Sequence, residues 1–152
     1  MRDADQTWCP VLDQIDLKIL GMLESDGRRS FTEIAEKLHV SESSVRKRVL
    51  ALQHDGVIRK FTVKVDAAKL GYNTVAIVGV DIDPTRLLQV AQKLCDFEDV
   101  RCVATSAGDH MVMLEIWMRN GRELTKLITE GIGTIEGVKR ICPALILERL
   151  KE

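Results

Sequence analysis

The stretch SESSVRKRVLALQHDG, residues 41–56, concentrates positive charge in a chain of 152 residues whose formal net charge is −1. It contains three adjacent cations: Arg46, Lys47 and Arg48. Its apolar residues recur at the spacing of one helical face: Val45, Val49 and Leu52. This spacing predicts a helix that buries the apolar stripe and turns Arg46 and Lys47 outward. Because adjacent like charges repel, we expect both to be free of carboxylates of their own chain and to face a polyanion.

The neighbouring sequence predicts how this helix begins and ends and what precedes it. Ser41 is a favourable N-cap, and Gly56 suits a left-handed residue at the end. Ser30 and Glu33 have the spacing of a capping box for a short preceding helix. The inner face of that helix is predicted to be Ile34, Ala35 and Leu38. His39 then occupies the turn, where a positive φ is needed and His is among the less disfavoured residues.

A further helix is predicted upstream, at residues 13–24, with Asp13 as its N-cap. Three short helices with a tight turn between the second and the third are typical of a helix-turn-helix domain that binds DNA. Residues 28–64 carry nine cations and four anions, a net charge of +5. Positive charge is therefore concentrated in the part of the chain that would contact DNA.

The helix-turn-helix interpretation assigns DNA contacts to particular side chains. Arg46 and Lys47 can donate hydrogen bonds to the acceptors of guanine in the major groove. Arg48 lies beside the buried stripe and is expected to reach the flank, where phosphate contacts are made. The predicted DNA-binding residues are Arg28, Arg29, Ser41, Ser43, Ser44, Arg46, Lys47, Arg48 and Lys60. The alternative is a charged helix face that only contacts solvent.

Downstream of this motif the sequence pattern changes. Residues 57–66 alternate between apolar and polar types, which predicts one or two wing strands, and residues 69–73 are the best hinge candidate. The elements after residue 73 follow the order βαββαβ, the ferredoxin-like arrangement, with the last strand predicted at 138–150. The predicted fold class is α+β, with an N-terminal winged helix-turn-helix domain and a C-terminal ferredoxin-like domain. The predicted boundaries are an arm at 1–10, the helix-turn-helix domain at 11–56, wing strands and hinge at 57–73, and the ferredoxin-like domain at 74–152.

Composition narrows the class of protein. No apolar run approaches the roughly 20 residues of a membrane span, and the acidic start lacks a signal-peptide core, so we expect a soluble cytoplasmic protein. The cysteines include no CxxC pair and are expected to be reduced thiols: Cys9, Cys95, Cys102 and Cys142. Cys102, His110 and Cys142 lie on three predicted strands and could in principle form a metal or redox site. A structural role is the simpler interpretation. No metal or cofactor is predicted.

Together these motifs resemble the Lrp/AsnC, or feast/famine, family of transcription regulators. The matching features are LDxIDxxIL at 12–20, DGR at 26–28, IAxxL at 34–38, SxSxVxxRVxxLxxxGVI at 41–58 and LGYN at 70–73. The resemblance extends over residues 11–150. It implies a sequence-specific regulator that binds a palindromic double-stranded DNA operator and dimerises through its C-terminal sheet, the RAM domain. It also implies assembly into higher oligomers, from tetramers to octamers, and a small effector, usually an amino acid, that modulates oligomeric state or DNA affinity.

The resemblance places the effector site in the loop TSAGDHMV, residues 105–112. The implied effector-binding residues are Ser106, Ala107, Gly108, Asp109 and His110. Three positions depart from the family pattern: Met111, where an acid is usual, and Ile141 and Pro143, where threonines are common. Because an acid suits an α-ammonium group and hydroxyls suit a carboxylate, a different ligand, or none, stays open. The structural alternative is an ordinary hairpin turn in which Gly108 supplies a left-handed residue.

Other functions stay open on sequence alone. Ferredoxin-like domains host many activities, so fold does not exclude an enzyme. The sequence has no P-loop, HExxH or GxSxG motif, and we predict that the chain is not an enzyme. A nonspecific architectural protein that compacts DNA, or a local repressor without an effector, would use the same helix-turn-helix domain.

Overall fold

The computed structural model describes residues 11–151, so the predicted arm at 1–10 lies outside the described residues. The chain divides into two compact units between Lys64 and Val65, inside the range predicted as wing strands and hinge. Within the described residues, no helix has both the length and the apolar character needed to cross a bilayer.

The first unit consists of helices α1 (Gln14–Ser25), α2 (Phe31–Leu38) and α3 (Glu42–His54). Each begins at the predicted cap, because the side chain of the N-cap residue accepts hydrogen bonds from backbone N–H groups that lack a helical partner. Capping boxes pair Asp13 with Asp16 and Ser30 with Glu33. His39 ends α2 with a φ of 54°, which confirms the predicted left-handed turn.

The core of this unit forms where the three helices meet. Its buried residues come from all three helices: Ile19, Ile34, Ala35, Val45 and Val49. Val45 and Val49 are 0% and 1% exposed, and Leu52, further along the same stripe, is 4% exposed. The predicted apolar stripe of α3 is therefore buried, which fixes the rotation of that helix about its axis.

The predicted wing strands are wrong. Residues 57–66 contain no strand, and the side chains of Phe61, Val63 and Val65 are exposed. A strand needs a neighbour that pairs its N–H and C=O groups, and no described part of the chain lies beside this segment as a strand. The alternating pattern therefore predicted strands, but it does not reveal whether a partner strand lies beside them.

The second unit has the predicted βαββαβ order. Its main elements are β1 (Thr74–Ile82), α4 (Leu87–Cys95), β2 (Val100–Thr105), β3 (Val112–Met118), α5 (Gly121–Lys126) and β4 (Val138–Leu145). The strands form one antiparallel sheet in the order β2-β3-β1-β4. This arrangement confirms the ferredoxin-like prediction, although β4 ends five residues before the predicted boundary at residue 150.

Successive residues of each strand alternate between the two faces of this sheet. On one face, side chains such as Val78 and Leu114 are buried in a core that also contains Val90 and Leu94 of α4. On the other face, residues such as Ile77 are only half-buried. The helices therefore cover one face of the sheet and leave beside solvent a face that carries apolar residues together with the carboxylates of Asp81 and Glu115.

Candidate nucleic-acid interface

The outward surface of α3 presents two of the predicted cations to solvent. Burial of Val45 and Val49 directs Arg46 and Lys47 away from the core, and both are exposed. No ion pair joins Lys47 to any residue within 11–151. The geometric prediction that this surface faces outward is confirmed.

Arg46 is not a free cation, contrary to expectation. Its Nη2 donates to Oε1 of Glu42 at 2.8 Å, one turn earlier on α3, while the Thr32 hydroxyl on α2 donates to Oε2 of Glu42 at 3.0 Å. Arg46 Cζ also lies 5.4 Å from the centroid of the Phe31 ring. The hydrogen bonds from Arg46 and then from Thr32 hold the pKa of the Glu42 carboxyl below its usual value. The guanidinium is nevertheless accessible, because the Arg46 side chain remains 59% exposed.

Arg48 lies in a different environment from the other two cations. Its Nη1 donates to Oδ2 of Asp13 and to Oδ1 of Asp16, both at 2.7 Å, and its side chain is 30% exposed. Hydrogen bonds to Asp16 and then to Asp13 raise the pKa of the Arg48 guanidinium. The pKa of the Asp13 carboxyl is lowered, first by the backbone N–H of Asp16 and then by Arg48. Arg48 thus joins α3 to α1, whereas the sequence predicted a flanking DNA contact.

The three predicted serines differ in how far they are already engaged. The Ser41 hydroxyl accepts the backbone N–H of Ser44 at 3.2 Å as the helix cap. Ser41 Oγ and Ser43 Oγ lie 3.0 Å apart, and Ser43 is exposed. Ser44 is half-buried. Ser43 is therefore the serine best placed to reach a bound molecule.

The remaining predicted cations lie outside α3. Arg28 and Arg29 occupy the turn before α2, where the Asp26 carboxylate accepts the backbone N–H of Arg28 at 3.0 Å. Lys60 lies in the segment after α3 that has no regular secondary structure. Arg28 and Lys60 are exposed, and neither is ion-paired with a residue in the described range. These side chains can supply charge to a polyanion without first breaking an ion pair.

The predicted effector loop connects β2 to β3, and part of it is turned inward. The Ser106 hydroxyl donates to the backbone carbonyl of His110. His110 Nδ1 lies 3.0 Å from Oδ1 of Asp81 on β1, and only 22% of the His110 side chain is exposed. The intervening residues are exposed: Ala107, Gly108 and Asp109. The left-handed alternative for Gly108 is wrong, because its φ is not positive.

The cysteines do not gather with histidine in the described structure. Cys95 and Cys102 are exposed, and Cys142 is half-buried. Among residues 11–151, no group of three or more His, Cys, Asp or Glu side chains is placed to hold a metal ion. Cys9 lies outside the described residues.

A capped helix pair with an outward cationic surface, followed by a separate sheet-and-helix unit, defines a two-domain protein of the helix-turn-helix DNA-binding class. Residues 12–53 match the family model of the AsnC-type helix-turn-helix domain, and residues 75–152 match the Lrp/AsnC ligand binding domain. The chain belongs to the Lrp/AsnC family of transcription regulators.

One relative is similar in sequence, and two solved structures share the fold. The HTH-type transcriptional regulator LrpA of Pyrococcus horikoshii is 50% identical over 141 residues, which cover 93% of this chain and 100% of the relative. The structure of Escherichia coli AsnC has a TM-score of 0.84 at 20% identity, covering 93% of this chain and 96% of that one. A Neisseria meningitidis regulator, NMB0573, solved as a complex with L-Met, has a TM-score of 0.85 at 20% identity, covering 93% of each chain. The chain is a DNA-binding transcription regulator.

Proposed function

We propose that this regulator recognises its operator through the outward surface of α3. The observation that carries the proposal is the burial of Val45 and Val49, which sets Arg46 and Lys47 on the exposed side of the helix. A helix of this kind fits the major groove with its first turns against base edges. Ser43, exposed in the first turn, is small enough to permit close approach of the backbone.

The cations take different roles in this proposal. Arg46 reads guanine, because a planar guanidinium matches the paired acceptors of that base. Lys47, Arg28, Arg29 and Lys60 contact phosphates, which position the protein without reading sequence. Arg48 takes no part in binding here, since its guanidinium is engaged by two carboxylates of α1.

Binding measurements on two variants test this division of roles. The probe is a duplex selected by the full-length protein from a randomised pool, compared with a shuffled duplex at several salt concentrations. Arg46→Ala should lose about 1–3 kcal/mol on the selected duplex and little on the shuffled one. Lys60→Ala should weaken both alike and lower the salt slope, because a phosphate contact releases counterions.

Lys18→Ala provides the matched control, because Lys18 is an exposed cation on α1. It should leave discrimination between the two duplexes unchanged. Equal losses on both duplexes from Arg46→Ala and Lys60→Ala would contradict the assignment of base reading to Arg46. Equal affinity of the unmodified protein for both duplexes would favour an architectural role.

We further propose that the chain dimerises through the uncovered face of its sheet and presents two copies of α3 to a palindromic operator. The half-buried apolar residues of that face include Val75, Ile77 and Met113. Two such faces can cover each other symmetrically, which removes apolar surface from water. Family resemblance supports further assembly, from tetramers to octamers. Light scattering of the purified chain measures this, and a monomer at micromolar concentration would contradict it.

A small effector, an amino acid or another ligand, is proposed to bind at the loop Ser106–His110. The exposed residues Ala107–Asp109 support an accessible backbone there, and L-Met is the ligand named for the Neisseria meningitidis relative. A thermal-shift screen of the standard amino acids tests the proposal. A ligand at 100 times its Kd should stabilise the protein by about 2.7 kcal/mol. No shift with any amino acid would favour another ligand or an effector-independent repressor.

A further inference from the structure

An acidic side chain stands on the surface proposed to contact DNA. Glu42 is the first residue of α3, and its side chain is 45% exposed. A carboxylate at this place repels phosphate and occupies the helix end that would otherwise attract an anion. The net charge of +5 over residues 28–64 exists despite this residue. Affinity for DNA alone therefore does not explain why a glutamate occupies position 42.

Both carboxylate oxygens of Glu42 are engaged by neighbouring side chains. Oε1 accepts from Arg46 at 2.8 Å, and Oε2 accepts from the Thr32 hydroxyl at 3.0 Å. Thr32 belongs to α2, so the carboxylate is fixed from two helices. Such a carboxylate is a defined support for the cation beside it and not a mobile surface charge.

The guanidinium of Arg46 is consequently restrained on two sides but still open. Glu42 contacts its Nη2, and the Phe31 ring lies below its Cζ at 5.4 Å. A guanidinium carries five N–H donors, and Glu42 uses one of them in this structure. The Arg46 side chain is 59% exposed, so the other donors can reach a base edge. A side chain already held in its binding conformation loses less entropy on binding.

We propose that Glu42 is a specificity-determining positioning residue, which with Thr32 and Phe31 holds Arg46 in the orientation that reads guanine. Its negative charge also keeps that guanidinium from settling on a nearby phosphate, a contact that would carry no sequence information. Lys47 lacks such a support among residues 11–151 and remains free to follow the phosphate backbone. The proposal rests on the proposed base reading by Arg46.

The proposal predicts an unusual combination of effects for Glu42→Gln. Removing the charge should strengthen binding to shuffled DNA, since repulsion of phosphate is lost. Discrimination between the selected and the shuffled duplex should fall, because the guanidinium is no longer held. A residue needed only for folding would instead weaken binding to both duplexes.

The test removes one hydrogen-bond acceptor from the DNA and measures how much binding affinity each protein variant loses. Each guanine of the selected duplex is replaced in turn by 7-deazaguanine, which lacks the N7 acceptor. The full-length protein should lose about tenfold in affinity at the contacted guanine. Arg46→Ala should show almost no penalty there, which identifies the guanine that Arg46 reads.

Three further variants test whether Glu42 and Thr32 position the Arg46 guanidinium. Glu42→Gln should reduce the 7-deazaguanine penalty from about tenfold to about threefold or less. Thr32→Val should reduce it in the same direction without strengthening binding to shuffled DNA, because no charge changes. Glu36→Gln is the matched control: it removes one exposed carboxylate of α2 and should leave the penalty unchanged. Thermal unfolding of each variant verifies that the domain is folded.

The outcomes separate this inference from the function on which it rests. If Arg46→Ala abolishes the penalty while Glu42→Gln and Thr32→Val keep it at the value of the unmodified protein, the positioning role is wrong and base reading by Arg46 stands. If no guanine shows a penalty that depends on Arg46, both proposals are overturned. An equal reduction by Glu42→Gln and Glu36→Gln would show that charge alone, and not orientation, is responsible.

Discussion

Gly79 shows how closely one residue can constrain another in this molecule. A Cβ atom at this position would lie 2.1 Å from Cδ2 and 2.4 Å from Cγ of His110. The His110 ring therefore rests on the bare backbone of β1 and contacts Asp81, two residues along the same strand. Sequence reasoning placed His110 in the effector loop and gave Gly79 no role, since the two residues come together only through the pairing of β1 with β3.

We predict that Gly79→Ala destabilises the second unit, because ring atoms close to the His110 backbone must move. The expected loss is about 1–3 kcal/mol in the free energy of unfolding, measured with chemical denaturant. In the Gly79→Ala/His110→Ala double variant the clash disappears, so the two changes should be non-additive. Strict additivity, or no loss from Gly79→Ala alone, would contradict the packing described.

At the scale of helices and strands, the helix caps were predicted well, whereas the ion pairs, including the local one of Glu42 with Arg46, were not. The capping boxes at Asp13 and Ser30 have partners three residues away, so their signals lie within one turn of sequence. Arg48 and Asp13 are 35 residues apart, and no local sequence pattern predicts their ion pair. The segment 57–66 failed for a related reason, since a strand is defined by a neighbour that alternation does not reveal.

The ion pair between α3 and α1 gives stability a defined pH dependence. The pKa of the Asp13 carboxyl is lowered in the folded state, first by the backbone N–H of Asp16 and then by Arg48. Its contribution is therefore present above the unfolded pKa of about 3.9 and disappears as the pH falls through the lower folded pKa. Arg48→Met should lower the midpoint of thermal unfolding at neutral pH, and the difference from the unmodified protein should shrink in acid.

Lys47→Met is the control for that measurement. It removes a cation from the same helix that has no ion pair within the described chain, and it should leave the unfolding midpoint unchanged. A difference between Arg48→Met and the unmodified protein that stayed constant into acid would contradict the assignment, because the ion pair is lost once the Asp13 carboxyl is protonated.

At the scale of the whole molecule, function follows from where charge and apolar surface are placed. The net charge of −1 conceals a segment, residues 28–64, with a net charge of +5. That segment contains α2, α3 and the exposed Lys60. The second unit contributes a sheet with one face left beside solvent. Family membership was predictable because its motifs extend over nearly the entire chain. The ion pair of Glu42 with Arg46 was also readable from the i,i+4 spacing, whereas the Thr32 hydroxyl that fixes the Glu42 carboxylate was not, because it comes from another helix.

Site-specific photocrosslinking tests directly whether the outward surface of α3 lies against DNA. A benzophenone amino acid replaces Lys47 in the full-length protein, which is then irradiated on its selected duplex. The control places the same group at Lys18, on the exposed surface of α1. We predict a covalent protein–DNA product from position 47 and none from position 18. A product from position 18 alone, with duplex binding retained in both proteins, would show that α1, and not α3, lies against the DNA.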